Sequence, residues 1–204
     1  MKIYFVRHGQ SQANLDRALA TTAQDTKLTA LGRDEAHEVG AKLREILRDR
    51  PVYMMISPAR RTSETAQIIA EYLDVIESRE DSRWMGLNFR GTSLPLDKYW
   101  SLLKDAHDEL PRDVESPEQV ARRVRSAMHE LWHFSRKLPG AIRRKRPAIV
   151  VVSHDGIGRI LRQLVKNLPI RDFITAEKIA NGSVVSMEIV DVQLYGKSTD
   201  TQIE

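Results

Sequence analysis

Ala148-Ile149-Val150-Val151-Val152-Ser153-His154-Asp155-Gly156 decides the fold. Five apolar residues, three of them consecutive valines, are followed by a serine and a histidine. An unbroken apolar run of this length suits a strand in the middle of a sheet covered on both faces. A helical pattern begins at about Gly156 and runs to Val165, so the strand feeds directly into a helix.

The same alternation repeats outward from this unit. Lys2 to Val6 is a β-rich run at the start of the chain, ending at Arg7-His8-Gly9. Thr29 can cap a helix whose apolar residues Ala36, Val39, Leu43 and Ile46 recur at helical spacing. Pro51 breaks it, and Val52 to Ile56 reads as a buried strand. Ser57-Pro58 reads as N-cap and first helical residue, with Ala66, Ile69 and Leu73 on the buried face. Ser116-Pro117-Glu118-Gln119 is a capping box. The helix it opens carries Val120, Val124, Ala127, Leu131 and Phe134 on one face and ends at Pro139-Gly140. Ser183 to Val190 alternates like a half-exposed edge strand.

Strands alternating with helices predict a three-layer α/β/α sandwich with a mainly parallel sheet and an antiparallel edge strand. The expected organisation is one domain over residues 1–204, with an irregular segment at 74–115, a short helix around Leu96 to His107 and a frayed tail from Gly196. Ligands in such sheets bind beyond the carboxyl ends of strands. His8, Ser57 and His154 each follow the last apolar residue of a predicted strand, so three loops should converge on one rim.

The residues at that rim suit phosphate chemistry. Phosphoryl transfer needs an in-line nucleophile and a cage for three equatorial oxygens. A neutral imidazole at His8 can accept the phosphoryl group covalently, with its other nitrogen donating to a backbone carbonyl. Arg7 and Arg60 supply planar, permanently charged forks. The register Ser57-Pro58-Ala59-Arg60 favours Arg60, with Arg61 as the alternative. His154, if protonated, adds a further donor. Gly9, Ser11 and Asn14 complete the anion-binding set, though Ser11 and Asn14 also suit turn or cap positions. His37, His107, His129 and His133 lie in helical stretches and read as surface or packing residues. No clustered metal-ligand set is seen, and neither a metal nor a cofactor is expected.

Further blocks resemble a known family. Arg7-His8-Gly9-Gln10-Ser11-Gln12-Ala13-Asn14, Asp25-Thr26-Lys27-Leu28-Thr29 with Gly32, Ser57-Pro58-Ala59-Arg60-Arg61-Thr62 with Thr65-Ala66, Glu115-Ser116, and Val151-Val152-Ser153-His154-Asp155-Gly156 resemble, in order, the motifs of the histidine phosphatase superfamily. The resemblance implies a phosphohistidine on His8. It also implies a carboxylic acid that protonates the leaving oxygen, in a block like L-x-E-x-x-x-G-x-x-x-G. Anchored on Gly91, that position falls on Arg83, which cannot serve as a general acid near neutral pH. Three readings follow: Glu80 or Asp81 reaches the site by a register slip, Asp155 takes the role, or no acid exists and turnover is slow. Because mutase-type residues are missing around this block, hydrolysis is expected rather than a phosphoglycerate mutase reaction. Arg83 and Arg90, with Trp84, Phe89 and Trp100, are candidates for the substrate entrance, although the aromatics suit core packing equally.

Composition narrows the partners. The chain has 204 residues, 32 Lys and Arg against 28 Asp and Glu, and no cysteine. Disulfides and thiolate chemistry are excluded, and a reducing, cytoplasmic compartment is expected. No run is long and apolar enough for a membrane span. The mild net charge of +4 fits a phosphorylated small molecule or phosphoprotein substrate. A nucleic-acid partner is not expected, since no recognised motif accompanies Arg122, Arg123, Arg125 or the run Arg143-Arg144-Lys145-Arg146. A phosphate-binding protein without turnover is the alternative from another functional class.

Overall fold

The computed structural model describes residues 1–16, 25–87, 101 and 114–189. The expected short helix at Leu96 to His107, the aromatics Phe89 and Trp100, Arg90, Gly91, His107 and the tail from Gly196 lie outside the described residues. Among the described residues no helix is long and apolar enough to cross a membrane.

Five strands form one sheet in the order β3-β2-β4-β1-β5. They are β1 (Lys2–Arg7), β2 (Val52–Ile56), β3 (Val75–Glu80), β4 (Ala148–Ser153) and β5 (Ser183–Glu188). β4 is central and buried along its whole length, as its valine run requires. It pairs in parallel with β1 and β2, and β2 pairs in parallel with β3. β5 closes the sheet antiparallel to β1, the expected edge arrangement.

The helices cover both faces. α2 (Ala30–Leu47) and α3 (Arg60–Ala70) pack Val39, Leu43, Leu47, Ala66 and Ile69 against Tyr4, Val6, Met54, Val150 and Val152. α4 (Pro117–Lys137) and α6 (Asp155–Lys166) pack Val124, Met128, Leu131, Ile160 and Leu161 against Ile3, Phe5, Ile149 and Val151. The alternation of strand side chains between these two sets is the period of two that splits a strand between faces. Two shorter helices are α1 (Gln12–Leu15) and α5 (Gly140–Arg144).

Local capping follows the sequence closely. Thr29 accepts from the Gly32 N–H at the start of α2, and Ser116 with Gln119 forms the capping box of α4. Four local expectations are corrected. Leu47 rather than Ile46 ends the buried stripe of α2, and Ile46 is exposed. α3 begins at Arg60, not at Pro58, because the Ser57 hydroxyl turns inward to His154 instead of capping the helix. Phe134 is only half-buried, its ring meeting Tyr53 edge-on. β3 occupies a stretch read as irregular. Its sequence, Val75-Ile76-Glu77-Ser78-Arg79-Glu80, is mostly exposed, so it carries little hydrophobic signal and is held by its pairing with β2.

Candidate active site

Sheet register builds the site. Arg7 lies opposite Ser153, and Ile56 opposite Val152, across adjacent parallel strands. The residues that follow, His8, His154 and Ser57, therefore leave the sheet side by side. The His8 N–H donates to Ser153 O at 3.0 Å, and the Ser57 N–H to Val152 O at 3.0 Å. The two imidazole centroids stand 5.2 Å apart, edge to face.

His8 is held in one tautomer. Its Nδ1 lies 2.7 Å from Gly9 O, so Nδ1 carries the proton and donates. Nε2 keeps its lone pair and accepts from Arg61 Nε at 3.3 Å. This is the orientation a nucleophilic imidazole needs.

His154 carries the opposite tautomer. Arg61 Nη2 donates to its Nδ1 at 3.2 Å, which leaves Nε2–H to donate to Ser57 Oγ at 2.8 Å. The Ser57 hydroxyl then donates to Met85 Sδ at 3.3 Å. Both histidines are pushed well below the usual histidine value of 6.5, first by burial and then by the facing charge of Arg61. In the free site both rings are neutral, so His154 does not carry the charge that a protonated donor would.

Arg61, not Arg60, stands between the histidines. Arg61 is buried on the stripe it shares with Thr65 and Ile69. Arg60 points outward, with Nε 2.8 Å from Glu64 Oε1 and more than half its side chain exposed. Helical spacing decides this: positions 61, 65 and 69 share one face, whereas 60 and 64 share another. The N–H of Arg60 donates to Asp25 Oδ2 at 2.6 Å, so this helix start does not present that donor to the rim. Asp25 also meets Arg61, Oδ1 to Nη1, at 3.4 Å.

Arg7 is buried beside the same rim. Nη1 donates to Ile179 O at 2.6 Å, while Nε has no hydrogen-bond partner among the described residues. Gly9 donates to Thr65 Oγ1 at 3.1 Å. Three donors converge on Asn14 Oδ1: Ser11 N and Ser11 Oγ, each at 3.1 Å, and Asn181 Nδ2 at 3.0 Å. They fix the flip of the Asn14 carboxamide and reserve its Nδ2 as a donor. Ser11 is thereby spent on capping α1. Asn181 also donates to His8 O at 3.1 Å. Nothing in the polar stretch around Asn181 marks this role in sequence.

The expected acids have other partners. Asp81 accepts from the Arg83 N–H at 2.9 Å and from Arg83 Nη2 at 2.6 Å. Burial pushes its carboxyl up, but the Arg83 bonds outweigh that and hold it below the usual aspartate range. Asp155 accepts from the Ile179 N–H at 2.8 Å and pairs with Arg159 at 3.0 Å. Glu80 accepts from Ser63 on the exposed edge. Arg83 itself reaches Asp81, Ser126 and Glu130, which ties it to α4. Trp84 is fully buried in the core rather than placed at an entrance. Among the described residues no group of three or more His, Asp and Glu side chains is placed to hold a metal ion.

These blocks coincide with a known family. The model of the histidine phosphatase superfamily (branch 1) matches residues 3–197. The chain belongs to this superfamily. A phosphoglycerate mutase-like protein of Arabidopsis thaliana, AT74, is 32% identical over 148 residues, covering 64% of this chain and 46% of the relative. A probable phosphoglycerate mutase of Salmonella paratyphi C, GpmB, is 35% identical over 71 residues, 35% of this chain and 31% of the relative. The chain spans about half the length of the two plant relatives it matches, 46% and 53%. Among solved structures, the mycobacterial glucosyl-3-phosphoglycerate phosphatase Rv2419c superposes with TM-score 0.73 at 24% identity, over 91% of this chain and 88% of its own. A putative alpha-ribazole-5'-P phosphatase from Escherichia coli gives TM-score 0.74 at 20% identity, over 94% and 92%. These likenesses bear out the three-layer fold of this histidine phosphatase superfamily member.

Proposed function

We propose that this superfamily member is a phosphomonoester hydrolase that works through a phosphohistidine on His8. The observation that carries the reading is the tautomer of His8. His8 Nδ1–H donates to Gly9 O at 2.7 Å, and the Nε2 lone pair faces the Arg61 guanidinium at 3.3 Å. A phosphate placed on Arg61 therefore lies in front of the nucleophilic nitrogen.

The reaction follows from these atoms. His8 Nε2 attacks phosphorus, a P–N bond forms and the ester P–O bond breaks, and the leaving oxygen departs as an oxyanion that takes its proton from solvent. Water then attacks phosphorus, the P–N bond breaks and inorganic phosphate departs. Arg61 and Arg7 supply fixed positive charge for the equatorial oxygens, which is the main demand of phosphoryl transfer. The cations are built from side chains, so no metal is assigned a step. An incoming phosphate dianion favours protonation of His154, converting its Nδ1 from acceptor to donor. The substrate class is a phosphorylated small molecule or phosphoprotein in a reducing cytoplasm, consistent with a cysteine-free chain.

A second reading is a phosphate-binding protein with little turnover. The engagement of Asp81 by Arg83 and of Asp155 by Arg159 favours it. General acid help is typically worth about 10²–10⁴-fold, so aryl phosphates with good leaving groups are the substrates of choice for assay.

One trapping experiment separates the readings. Incubation with a ³²P-labelled aryl phosphate and rapid denaturation should give an acid-labile, base-stable adduct in the wild type and none in His8→Ala. A wild type without adduct, or His8→Ala with as much adduct, overturns the phosphohistidine reading.

A further inference from the structure

Residues 83–87 form a turn that walls His154 on several sides. Trp84 O accepts from Ser153 Oγ at 2.6 Å, next to the histidine. Met85 Sδ accepts from Ser57, which itself accepts from His154 Nε2. Gly86 packs on the ring face: a Cβ at Gly86 would stand 3.4 Å from His154 Cγ. Asp81 caps the turn's first residues by accepting from the Arg83 N–H, and Trp84 anchors it in the core. It includes one 3-10 turn, Ser82–Trp84, and then extends.

One guanidinium from the opposite side gathers the turn's carbonyls. Arg123 on α4 donates from Nη1 to Arg83 O at 2.6 Å and to Met85 O at 2.8 Å, and from Nη2 to Gly86 O at 3.0 Å. Its remaining edge is clamped by Glu115, Nε to Oε1 at 2.7 Å and Nη2 to Oε2 at 2.8 Å. Both side chains are about four-fifths buried, at 19% and 18% exposure. Five directed bonds from one planar group are available to arginine and not to lysine, whose ammonium has three donors on a single atom.

We infer that Arg123, braced by Glu115, is a positioning residue that holds the 83–86 turn against His154, keeps the Met85–Ser57 acceptor on its Nε2–H while Arg61 holds Nδ1, and shields the ring from water. This role rests on the reading of His154 as part of the phosphate site, but it acts through the turn and touches no reacting atom. A helix far along the chain thus controls the second histidine. The charges that face His154 are those of Arg61 on α3, Arg7 at the end of β1 and Arg123 on α4, with His8 beside it. All of these push it the same way as burial does.

The test is nitrogen NMR of the imidazole side chains in the full-length protein, comparing wild type, Arg123→Lys and Glu115→Gln. In the wild type, His154 should show a single Nε2–H tautomer and resist protonation well below pH 6.5, the usual histidine value. In Arg123→Lys, which keeps the charge but cannot span three carbonyls, the expected result is tautomer mixing and a titration midpoint moved up toward 6.5. Glu115→Gln should move it the same way by less. Lowered melting temperatures with unchanged His154 shifts and titration in both variants would make Arg123 a stabilising residue only and overturn the inference. This readout needs no turnover. Loss of the His8 adduct argument would therefore leave it standing, and its own failure would leave the His8 reading intact.

Discussion

The Arg61 guanidinium bridges His8 and His154, with Nε 3.3 Å from His8 Nε2 and Nη2 3.2 Å from His154 Nδ1. A single cation therefore donates to the lone-pair nitrogen of each ring, opposite the N–H that Gly9 O holds on His8 and Ser57 holds on His154. Removing it removes the cation that the proposed function assigns to phosphate and the bonds that order the two rings. Arg61→Met should lower kcat on an aryl phosphate by roughly 10²–10³, the scale of losing one preorganised charge donor. Arg60→Met breaks only an exposed pair with Glu64, and it should stay within about twofold with a stability change near 0.5 kcal/mol. Steady-state kinetics on the two variants decides the matter, and equal losses would refute this assignment.

The buried histidines set a pH window. Folding depresses the affinity of both rings for protons below the unfolded value of 6.5, first by burial and then by Arg61. The unfolded chain therefore binds more protons at mildly acidic pH, and stability is present above 6.5 and lost as pH falls through the folded values. Thermal melts without phosphate should show a falling Tm below pH 6.5. His154→Gln should flatten that slope, and added phosphate or vanadate should offset it by favouring a charged ring. A Tm that rises on acidification over this range would contradict the neutral-pair assignment.

Much of this was legible in sequence for physical reasons. The valine run of β4 demanded cover on both faces, and His8, Ser57 and His154 were found where their strands end. The register Ser57-Pro58-Ala59-Arg60 points to Arg60, but the helix begins only at Arg60 and turns Arg61, with Thr65 and Ile69, onto its buried stripe. Asn181 and Arg123 left no such mark. Each acts by bonding backbone carbonyls of a distant segment, His8 O in one case and the 83–86 turn in the other. A carbonyl has no residue identity, so its partner leaves no pattern to read. β3 escaped because an exposed, charged edge strand carries no hydrophobic period.

The loop that follows β1 and carries His8 depends on two glycines in contact. A Cβ on Gly9 would lie 2.1 Å from Gly32 O, and one on Gly32 would lie 2.0 Å from Gln10 O. The obstructing atoms are backbone, so the loop and the start of α2 must part. Gly9→Ala or Gly32→Ala should cost about 1–3 kcal/mol in urea unfolding, the range for overpacking, and should lower kcat by displacing His8. Full activity in Gly9→Ala would show that the loop tolerates a separation this packing does not allow.

The identity of the proton donor can be tested through leaving groups. A general acid must be protonated when the ester bond breaks and earns its effect on poor leaving groups. Asp81 is held ionised by Arg83 despite its burial, and Asp155 ties the Ile179 N–H to Arg159. Both are thus committed to holding structure. Asp155→Asn and Asp81→Asn should lower Tm, and each should change kcat/KM by the same factor for 4-nitrophenyl phosphate and for an alkyl phosphate. If either variant lost the alkyl substrate by a further tenfold or more while keeping the nitrophenyl one, that carboxyl would be the acid after all. Its bonds to Arg83 or Arg159 would then have to open during turnover, with Arg83 free to move from Asp81 to its other partner, Glu130.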